Sequence, residues 1–320
     1  MKTSLRVLAA FVGLAAGCAL AQQYPAKPIR IIVGYTPAGA TDIVARALGA
    51  KLQELLKQPV VVENRPGANS NIANELVAKS PADGYTLLVG TVAVAINMSA
   101  YHDLGYDTLR DFAPVTQVMS SPSVLVVHPA FPARDLQGLI ALARANPGKY
   151  AFASTGNGSS PHLAGELLKQ RAHIDLVHVP YKGAGPALND LVAGHVPIGF
   201  QTALSAMPQM QAGRLRVIAV AAHKRIAQLP DAPTMAEAGL PDFEVSSWNG
   251  VFAPAKTPTD IIAILNGVTV SALATPEMRE KLLAQGADPV GSSPEAFREY
   301  VRSEIEKWGQ VIRASGAKFD

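Results

Sequence analysis

Cys18 is the only cysteine among the 320 residues, which excludes a disulfide scaffold and any zinc cluster built from several thiolates. Charge is scarce too. Charged residues are 17% of the chain, the formal net charge is +3, and no stretch gathers basic residues. That lacks the electrostatic footprint of a nucleic-acid binder, so no nucleic-acid partner is expected. Beyond the N-terminal segment, no run reaches the roughly 20 apolar residues a membrane span needs. Catalytic patterns are missing as well: there is no Gly-x-Ser-x-Gly elbow, no Walker loop and no His-Glu-x-x-His. Gly156-x-Gly158 stops short of a dinucleotide fingerprint, because Pro161 stands where its third Gly belongs. Ser315-x-x-Lys318 has a Ser–Lys spacing without its companion motifs, and His173 and His178 face opposite ways if extended. Neither a metal nor a cofactor is expected.

What is present is apolar content, 48% of the chain, enough for sizeable cores, and a length that suggests about two domains at roughly 150 residues each. Residues 1–21 read as a cleaved signal peptide. Lys2 and Arg6 precede the short apolar run Val7 to Ala16, and Ala19-Leu20-Ala21 is a small-x-small cleavage site. Cleavage there removes Cys18 and leaves no thiol. The alternative is a lipoprotein signal, Ala15-Ala16-Gly17, with Cys18 lipidated. Either reading sends the chain out of the cytoplasm.

From residue 28 onward short apolar runs alternate with helical stretches. Ile29 to Val33, Val60 to Glu63 and Thr86 to Val89 read as strands, and Val44, Leu48, Leu52 and Leu55 form one helical stripe. Phe112 to Val118 and Ser123 to Val127 are two further β-rich runs. A second series runs through Tyr150 to Ser154, Leu176 to Val179, Val196 to Phe200 and Leu215 to Val220, with helices between. Continuous rather than alternating apolar runs fit strands covered on both faces. The reading is α/β, two lobes, each a mostly parallel sheet flanked by helices, with a ligand cleft between them. Residues 22–126 plus 244–320 would form the first, discontinuous lobe and residues 127–243 the second. Crossings are expected near 120–128 and 242–248.

Two loops repeat one construction. In the first, strand Ile29–Val33 leads through Tyr35, Pro37 and Gly39-Ala40 to a helix with Thr41 as N-cap and Asp42 in its first turn. In the second, strand Tyr150–Ser154 leads through Thr155, Gly158 and Ser159 to a helix with Ser160 as N-cap and Pro161 at N1. Both put free amides and the positive end of a helix at the carboxyl end of a strand, a way to hold an anion without a cationic side chain. Each loop alone also reads as an ordinary capped turn. Tyr181 and Gln201 follow strands in the same way, and Trp248 lies at the return crossing, where it either stacks on a ligand or fills the hinge. A rival reading is a secreted hydrolase using Ser159 or Ser160 with His162.

The runs Tyr35-Thr36-Pro37-Ala38-Gly39-Ala40-Thr41-Asp42, Val61-Val62-Glu63-Asn64-Arg65-Pro66-Gly67, Asp83-Gly84-Tyr85-Thr86-Leu87-Leu88, Ser159-Ser160-Pro161-His162-Leu163-Ala164-Gly165-Glu166 and Val177-His178-Val179-Pro180-Tyr181-Lys182-Gly183 occur in that order. With them the chain resembles the Bug solute-binding receptors of tripartite tricarboxylate transporters. The resemblance implies a type II periplasmic-binding-protein fold. It also implies a monomeric periplasmic receptor without catalysis, which closes on a small carboxylate and hands it to integral membrane permease subunits. A sensor for a membrane signalling protein is the variant of that role. The implied cleft loops are Tyr35 to Asp42 and Thr155 to Ser160. Ala38 stands where the family often has Gly, Gln201-Thr202 where many members have Asp-Asn, and Asn97-Met98 where Asn-Pro is usual. These departures point away from an amino-acid ligand and towards a plain carboxylate.

Overall fold

The computed structural model describes residues 24–315, so the signal-peptide segment, Cys18 and Lys318 lie outside the described residues. In chain order the strands are β1 (Ile29–Val33), β2 (Val60–Asn64), β3 (Thr86–Thr91), β4 (Phe112–Val127), β5 (Ala151–Ser154), β6 (Val177–Pro180), β7 (Ile198–Thr202), β8 (Arg216–Ala221), β9 (Ser246–Pro254) and β10 (Asp288–Pro289). The helices are α1 (Ala40–Leu56), α2 (Asn71–Ala78), α3 (Ala93–Ala100), α4 (Thr108–Asp111), α5 (Leu136–Ala145), α6 (Ser160–Ala172), α7 (Ala184–Ala193), α8 (Ala203–Gln211), α9 (Thr259–Ala274), α10 (Pro276–Ala284) and α11 (Pro294–Ser315).

The apolar runs form two sheets. In the first, β2, β1 and β3 are parallel neighbours, β9 runs antiparallel to β3, and β4 runs antiparallel to β9. In the second, β6, β5 and β7 are parallel, and β4 pairs antiparallel with both β7 and β8. Strand β4 therefore belongs to both sheets. The runs Phe112–Val118 and Ser123–Val127, read separately from sequence, are one strand of 16 residues. Its middle looks unlike a strand because it serves as a junction. Ser120, Ser121 and Pro122 still pair with Trp248, Ser247 and Ser246, and the Ser121 hydroxyl donates to Gly286 O and accepts from Leu204 N. Across this junction Ser123 N donates to Val245 O, so the outgoing and returning segments lie side by side.

Helix α3 has no counterpart in the sequence reading. Its residues AVAINMSA are apolar almost all round, so no amphipathic stripe betrays it, and Ala93 to Asn97 are buried. A helix without a polar face is a core helix. Helix α11 packs against α3 and β4. It is pinned by Glu304, whose carboxylate accepts both the Trp248 and the Trp308 indole N–H at 3.0 Å. Trp248 is fully buried, with its ring edge-on to Phe297 at 5.5 Å and to Tyr300 at 5.7 Å. It fills the core beneath the returning segment, the second of the two roles its position allowed.

Removing the Glu304 carboxylate leaves two buried donors without an acceptor. Glu304→Ala is expected to lower unfolding stability by about 2–4 kcal/mol. Glu304→Gln, which keeps an acceptor oxygen, should lose distinctly less; chemical denaturation of the two variants checks it.

Candidate functional site

Five strands of the two sheets, β1, β3, β5, β6 and β7, each lead into a helix, and all five helix starts reach one cavity. Its wall comprises Gly39, Ala40 and Thr41 of α1, Thr91, Val92 and Ala93 of α3, and Ser159, Ser160 and Pro161 of α6. Ala184 of α7 and Thr202 before α8 complete the helix starts, with Tyr35, Thr155 and Ser247 beside them. No charged side chain lines it. The site lies outside the carboxyl ends of the strands, the usual place for a ligand in open α/β sheets.

The chemistry of the wall is set by what the helices lack. The N-cap residues of α1, α3, α7 and α8 (Gly39, Val92, Gly183 and Thr202) make no side-chain capping bond. Only Ser159 caps conventionally, its hydroxyl accepting from His162 N at 3.3 Å. In α3 the Thr91 hydroxyl accepts from Ala93 N at 3.1 Å and in α8 the Ser121 hydroxyl accepts from Leu204 N at 3.2 Å, while the other first-turn amides and the positive ends of the helix dipoles face the cavity. The hydroxyls of Thr41, Thr91, Ser160 and Thr202 add neutral donors. This wall complements an anion without offering it a counter-ion.

Both expected caps differ from the structure, by two residues in α1 and by one in α6. Helix α1 starts at Ala40 with Gly39 as N-cap, because Asp42 folds back to accept from Ala38 N at 3.0 Å; Thr41 sits in the first turn and accepts from Asn249 Nδ2 at 3.2 Å. Helix α6 starts at Ser160 with Ser159 as N-cap, since the Ser159 hydroxyl both caps and donates to Gly156 O at 2.7 Å.

Tyr35, Gly39, Ala40, Thr41, Thr155, Ser159 and Ser160 are thus brought together at the cavity. The other sequence candidates lie elsewhere. Pro37 is exposed on the loop's outer rim. Gly158, at φ 71, approaches Asn69 of the first lobe rather than the cavity. Tyr181 donates its hydroxyl to Asp190 at 2.5 Å and lines a second, outer pocket. Gln201 is buried behind Thr202, and neither atom of its amide has a hydrogen-bond partner. Trp248 is in the core, while its neighbour Ser247 reaches the wall. Sequence reasoning reaches the loops that hold Ala184 and Thr202 but favours their neighbours Tyr181 and Gln201, and it misses Thr91, Val92 and Ala93 altogether. The signal available for Ala184 and Thr202 was their place just after a strand; for Ala93 there was none, because its helix carries no period.

Two sets of buried polar contacts hold the loops. Asp42 accepts from Ala38 N, Arg46 Nε at 3.0 Å and Asn64 Nδ2 at 2.9 Å. Burial alone would push its carboxyl up, but these three donors outweigh it and hold the group below the ordinary carboxylate range. Beneath the second loop the His162 and His178 rings stack at 3.8 Å, and Phe152 stacks on His178 at 4.9 Å. The His162 Nδ1 accepts from Gly158 N at 3.1 Å, and His178 Nε2 lies 2.6 Å from the Ser154 hydroxyl, which also accepts from Gly156 N. Burial, with positive neighbours, pushes His162 down to about 3 and His178 down to about 4, so both rings are neutral at pH 7. The Ser159 version of the hydrolase arrangement is not built: the Ser159 hydroxyl is spent on its cap and on Gly156 O, and His162 Nδ1 on the Gly158 amide.

The lobes touch across the cavity. Thr36 N donates to Lys182 O at 3.4 Å, and a Cβ on Gly39 would lie 3.6 Å from the Ala184 Cβ. Among the described residues no group of His, Cys, Asp and Glu could hold a metal ion, and no single helix is long and apolar enough to cross a membrane.

The model of the tripartite tricarboxylate transporter family receptor, TctC, matches residues 44–317. The chain belongs to this family. Protein BugT of Bordetella pertussis is 40% identical over 322 residues, 99% of each chain. The solved structure of R. palustris Rpa4515 with adipate is 37% identical with a TM-score of 0.89, covering 92% of this chain and 98% of that one. MatC from Rhodopseudomonas palustris with bound malate is 33% identical with a TM-score of 0.87, covering 90% and 100%. The TctC chain is accordingly a two-lobe solute-binding receptor and not an enzyme.

Both histidines are held neutral in the fold but charge near pH 6.5 in the unfolded chain, so acid favours unfolding. Stability is expected to be full above about pH 6.5 and to fall progressively towards pH 4. His162→Gln, which keeps an acceptor near Gly158 N, should flatten that slope in pH-dependent denaturation. Asp42 contributes at lower pH: its stabilisation is complete above the ordinary carboxylate range and is lost on acidification below it. Asp42→Asn should remove that lower part of the pH dependence.

Proposed function

We propose that this receptor captures a small organic carboxylate, with the carboxylate seated against the five helix starts, and delivers it to integral membrane permease subunits. The observation that carries the reading is the wall itself: uncapped helix N-termini and neutral hydroxyls converge on one cavity with no charged side chain. Partial positive charges act strongly there because closure of the lobes replaces water with protein. The adipate and malate held by related receptors support a carboxylate as the ligand. The exported location rests on the N-terminal pattern of residues 1–21 and on the family's periplasmic members. Closure would hinge at the β4 junction, moving residues 127–243 as one lobe and residues 22–126 with 244–320 as the other. In this reading the receptor acts as a monomer.

A ligand that binds the folded form stabilises it by mass action, by about 2.7 kcal/mol at a hundredfold excess over Kd. A thermal-shift panel of small carboxylates should therefore give hits, whereas their methyl esters should not. Ser160→Asp places a carboxylate where the ligand's would sit. It is expected to weaken binding at least tenfold while leaving the fold as stable or slightly more so, since an acidic residue suits a helix start. Unchanged affinity in Ser160→Asp would remove the cavity from the reading.

A further inference from the structure

A hydroxyl meets a carboxylate well from one side only. It has one hydrogen and two lone pairs, and a lone pair turned towards the anion repels it. With no charged side chain on the wall, the direction of a hydroxyl hydrogen matters to binding. Thr41, in the first turn of α1, lines the cavity, and the fold settles which way its hydrogen goes.

The Thr41 oxygen accepts from Asn249 Nδ2 at 3.2 Å. Asn249 is buried on β9, two residues beyond Ser247 and so on the strand face that brings Ser247 to the wall. An amide turned the other way would present its oxygen to Thr41 and take the hydroxyl hydrogen. The second contact of Asn249 excludes that orientation: the same Nδ2 donates to Gly90 O at 3.3 Å, and a carbonyl oxygen only accepts. Both amide hydrogens are thereby used, one on Gly90 O and one on Thr41 Oγ1. Thr41 keeps its own hydrogen, and among the described residues nothing accepts it. A hydroxyl that already accepts a hydrogen bond is also polarised into a stronger donor. The two residues, far apart in the chain, meet because β9 pairs with β3, with Asn249 opposite Thr91.

We propose that Asn249 is a positioning residue for the ligand: by occupying the Thr41 oxygen as an acceptor, it commits the Thr41 hydrogen to the cavity as a donor. Asn249 itself does not line the cavity and acts only through Thr41. This rests on the carboxylate reading of the cavity and deepens it.

The test is a double-mutant cycle on the full receptor, titrated calorimetrically with acetate, benzoate, malate, adipate and citrate. For an acid that binds wild type, Thr41→Val, which keeps the shape and removes the hydroxyl, should weaken affinity about tenfold. Thr41→Ser, which keeps the hydroxyl, should stay within about twofold of wild type. Asn249→Ala should cost about threefold or more alone and close to nothing in the Thr41→Val background, because its effect passes through the hydroxyl. Should the alanine variant fail to fold, Asn249→Leu, of similar volume and without donors, completes the same cycle. Unchanged affinity in Thr41→Val or in the Asn249 variant, or an Asn249 effect equal in both backgrounds, overturns the positioning role while the carboxylate reading stands. Wild type binding none of the five acids overturns the carboxylate reading itself, and this role with it.

Discussion

In the proposed reading, everything else depends on one interaction, between an anion and backbone amides at helix starts, four of whose five N-cap residues make no side-chain capping bond. A side-chain cation would bind a carboxylate more simply, but as a fixed buried charge it would need a partner whenever the cleft is empty. First-turn amides carry only partial charge and can be left to water while the lobes are apart. A binding protein that must also release its guest gains from that difference. The sheet topology makes the arrangement possible: each parallel strand delivers its following helix to the same edge, and two sheets joined through β4 turn those edges towards each other.

The neutral wall is held from behind by residues that do not line the cavity. Asp42 ties the Ala38 amide, Arg46 and Asn64 together under the first loop. The stacked His162 and His178 do the same under the second, with His162 accepting the Gly158 amide. Charge is therefore present near the site, but it is turned away from the cavity and used for positioning. The stability of these loops becomes sensitive to acid, because both supports depend on protonation states that burial and hydrogen bonding hold away from their ordinary values.

Much of this was legible in the residues. The continuous apolar strands and the place of the two Gly-rich βα loops at strand ends followed from period and turn chemistry alone. Three things did not. Helix α3 is invisible to periodicity because it is apolar almost all round, and Thr91 and Ala93 are hidden with it. Cap positions shifted by two residues in α1 and one in α6 because Asp42 and Ser159 satisfy more than one group, a choice settled by three-dimensional neighbours. Trp248 and Gln201 occupy suggestive places in sequence, yet alternation along a strand decides which of two adjacent residues faces the cleft; Ser247 and Thr202 do, and their neighbours face the core.

The central claim is tested most directly by following the backbone amide resonances of the receptor in a two-dimensional NMR titration with a bound carboxylate. The account predicts that the largest shifts fall on first-turn amides of the helices that start at the cavity, including those of Thr41, Ser160, Ala184 and Ala203. Shifts that leave these amides in place and gather around side-chain cations elsewhere on the surface would contradict it.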